Sequence, residues 1–283
     1  GTHSTVKAAL GGLDVEMPND RYFGQALIDS VNAGVVPMTV IDQKVRNLLR
    51  VRFAVDPVPA DVANKQMTSQ PPQQKIAYEV ASRSIVLLKN EGLLPIDAQK
   101  VKTIAVIGDN ATRRMSQGGV GAGVKTLYEI TPLQGLQTAL EGTGITLKHA
   151  QGYMVPSRMR RNAKNAAAQA KEVEATNKKL AKEAVALAKE ADLVIFVGGD
   201  NREVETEGSD RKDIDLPAGQ DELIKAIAQA NPNLVTVMVV GAPVDLRTVN
   251  SSTKSLLISW FNGSEGGHAL ADVLTGKISP SGK

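Results

Sequence analysis

The chain contains no cysteine, which excludes disulfides, thiolate metal sites and cysteine nucleophiles. Aromatic residues make up only 3% of the 283 residues, with Trp260 the sole tryptophan. That is sparse for a protein that stacks sugars or bases unaided, so such a ligand would need surface from outside this chain. The three histidines, His3, His149 and His268, lie far apart and none has a second His or Cys at ligand spacing, which argues against a histidine-built metal site. No apolar run reaches the roughly 20 residues of a membrane span. An excess of one charge is missing too: 33 basic against 30 acidic residues leave a formal net charge of +3, no argument for a nucleic-acid or membrane partner.

What is there suits globular structure. With 42% hydrophobic and 22% charged residues, the chain can build one large or two ordinary cores. It starts at Gly1, without a methionine and without the basic start and cleavage pattern of a signal peptide, and is expected to be a fragment. Residues 19–53 carry apolar residues at helical spacing in two stretches separated by "NAGVVP", which predicts a helix pair with Thr39 capping the second helix. "AVDPVPADVANKQMTSQPPQQ" concentrates four prolines among small polar residues and reads as a linker, placed at 57–73.

From residue 74 the pattern alternates. "KIAYEVASRSIVLLKN" reads as helix, "TIAVIGD" as strand, "TPLQGLQTAL" as helix and "ITLKHAQG" as strand. A long Ala/Lys/Glu-rich helix follows at about 158–191, its interleaved charges reading as a solvated face rather than a nucleic-acid patch. "DLVIFVGG", "LVTVMVVGA" and "SLLISWF" are further strands, with helices "AGQDELIKAIAQA" and "EGGHALADVLTG". Strands without polar alternation, separated by helices, define an α/β fold with a mostly parallel sheet covered on both faces. In such sheets ligands sit beyond the carboxyl ends of the strands.

Three motifs invite chemistry. "GGVGAG" follows the first parallel strand but forms no GxGxxG and no GKS or GKT; a loop that approaches a ligand closely is better supported than a phosphate cradle. "NGSEGG" does not frame Ser264 as a hydrolase nucleophile; it reads as a helix N-terminus with Ser264 or Asn262 capping and its glycines packing closely. "NREVETEGSDRKDIDLP", residues 201–217, holds six carboxylates among Arg202, Arg211 and Lys212. It lacks the calcium-loop alternation, and on its own pattern it is either a solvated, paired loop or the seat of one working acid.

Six ordered blocks settle the choice by resemblance: "GTHSTVKAALGGLDVEMP", "ASRSIVLLKNEGLLPI", "IAVIGDNA", "GGVGAG", "ETEGSDRKDIDLPAGQDELIKAI" and "ISWFNGSEGGHALADVLTGKISPSGK". Together they resemble glycoside hydrolase family 3, the β-glucosidase-like enzymes, over almost the whole chain. The resemblance implies the family's C-terminal α/β sandwich at 74–283, preceded at 1–56 by the helical tail of a (β/α)8-type barrel. It implies a retaining, exo-acting hydrolase of terminal β-linked glucose, with a nucleophile Asp just upstream of Gly1 and therefore outside this chain. The chain alone is then expected to be inactive, with the missing barrel portion as its partner.

Retaining glycosidases pair a nucleophile with an acid/base carboxylate about 5–5.5 Å away. The family motif resembling "EGxDR", ten residues before a proline, puts that acid/base on Glu207, with Glu205 as the runner-up, while Asp210 and Arg211 would fix the loop by local pairing. Met17, in "DVEMP", would approach the leaving-group side of the substrate or else simply pack. The substrate would be a β-linked oligosaccharide or aryl glycoside, no metal or cofactor is called for, and the compartment implied is periplasmic or extracellular. A β-xylosidase or other specificity of the family, and a non-catalytic sugar-binding or interaction module, remain alternatives.

Overall fold

The computed structural model describes residues 2–55, 71–116, 123–124, 126–156, 166–207 and 211–283. The chain divides into two compact units, Gly1–Met67 and Thr68–Lys283.

The first unit is built on helices α1 (Val6–Leu10), α2 (Gln25–Asn32) and α3 (Met38–Ala54). Its core is small: Ala9, Leu27 and Val36 are buried, backed by residues such as Phe23, Val31 and Ile41. Polar ties do much of the rest. Glu16 accepts the backbone N–H groups of Tyr22 and Phe23 at 2.8 and 2.6 Å, and the ammonium of buried Lys44 donates to the Leu13 carbonyl at 2.6 Å. The expected helix pair is present, but Thr39 does not cap it. Pro37, extended at φ −63° and ψ 141° and unable to donate a backbone N–H, starts α3 and leaves Thr39 inside the first turn.

The second unit opens with α4 (Pro71–Ser84), so the last three residues of the expected linker are helical; the rest of the linker lies outside the described residues. The apolar spacing predicts that this helix continues through "IVLLKN", but Val86–Asn90 is a strand, β1. Branched Ile85 and Val86 favour the pleat over the helix, and the strand's main chain finds its partners on β6. The other strands are β2 (Thr103–Ile107), β3 (Thr146–Ala150), β4 (Leu193–Gly199), β5 (Leu234–Val239) and β6 (Ser255–Ile258). Helices α5 (Pro132–Ala139), α6 (Ala166–Glu190), α7 (Gln220–Ala230), α8 (Arg247–Ser252) and α9 (Gly266–Leu274) alternate with them.

The sheet order is β1-β6-β5-β4-β2-β3, with β1 antiparallel to β6 and every other pairing parallel. Alternate residues of each strand feed opposite cores. Ile104, Val106, Ile195, Val197, Val235 and Val237 pack with α4, α5 and α9. Ala105, Ile107, Val194, Phe196, Leu234 and Met238 pack with α6, α7 and α8. All of β4 and β5 is buried, which is why both read as unbroken apolar runs.

Two local devices set the layers. Thr131 caps α5 in a full capping box with Gln134. Gly135 of α5 and Gly267 of α9 let the two helices touch backbone to backbone; a Cβ on Gly135 would overlap the Gly267 carbonyl. The close glycine packing expected of "NGSEGG" is therefore present, but its capping is not. Neither Asn262 nor Ser264 makes a side-chain cap to the turn or helix that follows, because the Asn262 amide is engaged by Ser84 and Ser259.

Candidate active site

Among the parallel strands the chain lays β3 on one side of β2 and β4, β5 and β6 on the other. The order reverses between β2 and β4, and the loops leaving their carboxyl ends flank the crevice where such sheets bind ligands. The acidic loop is the one that leaves β4.

Its base is rigid and polar. Gly199 ends β4 at φ 106°, and a side chain there would run into the backbone of Val239. Buried Asn110, on the turn after β2, donates its amide N–H groups to the carbonyls of Gly198 and Asp200, each at 3.0 Å. Buried Gln220, the first residue of α7, accepts from the Gly199 N–H at 2.8 Å and donates to the carbonyls of Gly199 and Pro217 at 2.9 and 3.0 Å. One amide side chain thus joins the two feet of the loop.

Asp200 is fully buried. Its Oδ2 accepts from Arg211 Nη1 at 2.7 Å, and the other guanidinium nitrogen donates to the Pro243 carbonyl on the loop after β5. Glu205, half-buried, donates its backbone N–H to Asn201 O and brings its carboxyl into hydrogen-bonding reach of Asp200. The same carboxyl lies over Gly241, beside Phe261. Burial pushes the Asp200 carboxyl up from 3.8 to about 6; Arg211 opposes the rise and Glu205 adds to it.

Glu207 is exposed and directly precedes residues 208–210, which are outside the described residues and include Asp210. Arg211 does pair within the loop, but its described partner is Asp200. The structure therefore puts Glu205 and Glu207 on one loop in different settings: one turned in against Asp200, the other outward. Met17 lies on the first unit and is 72% exposed, outside that unit's core. The "GGVGAG" loop is described only at Ala122's far side, from residue 123.

Asp200, Asn110 and Gln220 were not singled out from sequence. Asp200 had a signal, as the first polar residue after the unbroken run of β4; the two amides had none, since neither charge nor spacing distinguishes them.

Beside Asn110, a cleft of about 30 Å³ opens at the strand ends among Arg113, Glu129, Trp260 and Asn262. It has room for a water or two, far short of the roughly 300 Å³ at which ligand pockets begin. These strand ends can present a catalytic group, but a sugar would need walls from elsewhere.

Comparison with known proteins agrees with this architecture. Residues 85–283 match the family described as the glycosyl hydrolase family 3 C-terminal domain. A β-glucosidase of Bacteroides ovatus is 37% identical over 99% of this chain and 39% of its own length. A periplasmic β-glucosidase of Salmonella typhimurium is 32% identical over 98% of the chain and 38% of its own. Among solved structures, a β-glucosidase of Erythrobacter marinus superposes with a TM-score of 0.75 at 26% identity, covering 98% of this chain and 38% of that one. The chain belongs to glycosyl hydrolase family 3, and it spans about two fifths of the length of the curated relatives it matches.

Proposed function

We propose that this chain is the acid/base-bearing part of a retaining, exo-acting β-glucosidase, with Glu207 as the general acid/base. The observation that carries the reading is the position of the "EGSDR" loop, which leaves β4 at the reversal of the sheet and is anchored by Asn110, Gln220 and Arg211. Glu207 protonates the departing glycosidic oxygen, then deprotonates the water that releases the glycosyl-enzyme. Glu205 suits this role less, because its carboxyl is turned against Asp200 and over Gly241.

The nucleophile and the sugar-binding walls belong, in this reading, to a barrel that precedes these residues. The first unit supports it: Leu48, Leu49, Val51 and Phe53 of α3 are exposed, Phe53 by 82%, around a core with three buried hydrophobic residues among those described. A unit this thinly packed fits one that completes its core on further chain. By itself the 283-residue chain is inactive. Met17 would line the leaving-group side, and no metal or cofactor takes part. A periplasmic or extracellular site follows the relative named as periplasmic; among the described residues, no helix is long and apolar enough to cross a membrane.

A second specificity has its own support, since a relative from Formosa agariphila, 28% identical over the whole chain and 39% of its own length, is named a β-xylosidase. Both are tested together. In the full-length protein, phenyl β-glucoside and phenyl β-xyloside, whose leaving group needs a proton, are compared by kcat/KM, and Glu207→Gln is expected to cut the preferred value at least about 100-fold, the scale of general acid/base catalysis. Unchanged turnover in that variant, or binding of oligosaccharide without cleavage by the wild type, would sink the reading.

A further inference from the structure

Asp200 and Glu205 take no part in the proposed chemistry, yet they form the most deeply set carboxyl pair of the loop. Their side chains are within hydrogen-bonding reach, and Asp200 Oδ1 and Glu205 Oε2 are both buried without a donor among the described residues. Two ionised carboxylates cannot satisfy each other there, because each only accepts. One proton held between them satisfies both and removes a like-charge contact. The remaining oxygen of Asp200 holds Arg211, ten residues past Asn201 and itself tied to the loop after β5. The loop is thus closed across its two feet, with the carboxyl pair as its floor.

We infer that Asp200, Glu205 and Arg211 are positioning residues: the Asp200–Arg211 ion pair closes the loop and the one-proton Asp200–Glu205 pair floors it, so that Glu207 is held outward toward the substrate. This rests on the reading of Glu207 as acid/base. The groups facing Asp200 are Arg211 and Glu205 from its own loop and Tyr153 from the segment after β3; Asp109 and Arg113, beyond the end of β2, also face Tyr153. The arrangement has a consequence for pH. Loss of the shared proton leaves two facing buried anions against one guanidinium, and the loop loosens.

Two measurements test this. In the chain itself, carbon-13 shifts of the Asp and Glu carboxyls are followed from pH 4 to 8. The Asp200 carboxyl should titrate near pH 6, and in Glu205→Gln, whose amide donates in place of the proton, that step should move to lower pH. Titration of Asp200 below about pH 4.5 in the wild type, or an unmoved Asp200 step in Glu205→Gln, would overturn the shared proton.

In the full-length enzyme, Asp200→Ala and Arg211→Ala should lower kcat/KM at least tenfold for β-glucosides with poor leaving groups. Values of kcat/KM on dinitrophenyl β-glucoside, which needs no proton to depart, should stay within about threefold. Arg211→Lys should recover part of the loss. Equal loss on both substrates would mark a merely structural role and overturn the positioning claim, as would no loss on either. Glu207→Ala is run beside them: if it too fails to discriminate the leaving groups, it is the acid/base reading that falls, whatever the carboxyl titration returns.

Discussion

Removing the Gln220 side chain tests how the loop is anchored. Gln220 is fully buried and makes three hydrogen bonds, one from the Gly199 N–H and two to the carbonyls of Gly199 and Pro217. Gln220→Leu keeps the approximate volume and deletes all three, orphaning the buried N–H and carbonyl of Gly199 and the part-buried carbonyl of Pro217. At a net contribution of about 1 kcal/mol per bond, the loss is about 3 kcal/mol. For a unit of this size that lowers Tm by about 6–12 °C. Gln220→Glu is the sharper variant. It can still accept from Gly199, but above its pKa it turns a carboxylate on two carbonyls; acid returns one donor, so its deficit should shrink between pH 7 and pH 5. Glu222→Gln on the exposed side of α7, which breaks only a surface pair with Lys225 at 2.9 Å, serves as control and should shift Tm by less than about 2 °C. Calorimetry of the chain decides: a Gln220→Leu melting point within about 2 °C of wild type would refute the view that this amide joins the loop's feet.

Asp200 makes stability depend on pH. Its pKa is raised from 3.8 to about 6 in the folded chain, so the folded state holds a proton that the unfolded state has lost. That contribution is complete below about pH 4 and disappears as pH rises through about 6, a difference of about 3 kcal/mol at 1.36 kcal/mol per pH unit. Urea unfolding at pH 4.5 and pH 7 should show this component in wild type and not in Asp200→Asn; parallel profiles would contradict it. Gly135→Ala gains about 1 kcal/mol of helix propensity, but its Cβ meets the Gly267 carbonyl, so a net loss of about 1–3 kcal/mol is expected; a more stable variant by calorimetry would show that α5 and α9 are not in backbone contact. The exposed apolar residues of α3 predict strong binding of a hydrophobic dye by the chain, falling at least about twofold in Leu49→Lys/Phe53→Lys; no change would place the dye elsewhere.

Much of the fold was legible because burial leaves a plain mark. β4, "LVIFVGG", is apolar at every position since both of its faces are covered, and "TPLQGLQTAL" carries its own capping box. β1 was misread because "SRSIVLLKN" continues the apolar spacing of α4, and only its pairing with β6 makes it a strand. The helix α8, "RTVNSS", was missed because branched and short polar residues argue against helix; Val249, buried in the core with α6 and α7, holds it. At the site, the charge-rich loop was visible but its hierarchy was not. Glu207 was selected by family resemblance, and nothing in the spacing said that Glu205 would face inward or that Asp200, outside the dense run of charges, would be its neighbour.

The central claim is that Glu207 is the acid/base, and exogenous azide tests it most directly. In the full-length enzyme carrying Glu207→Ala, an activated aryl β-glucoside should still form the glycosyl-enzyme, and the second step should stall for want of a base. Azide needs none, so it should restore turnover and give β-glucosyl azide, with Glu205→Ala giving no such product. Absence of the azide product from Glu207→Ala, or its appearance with Glu205→Ala instead, would contradict the account.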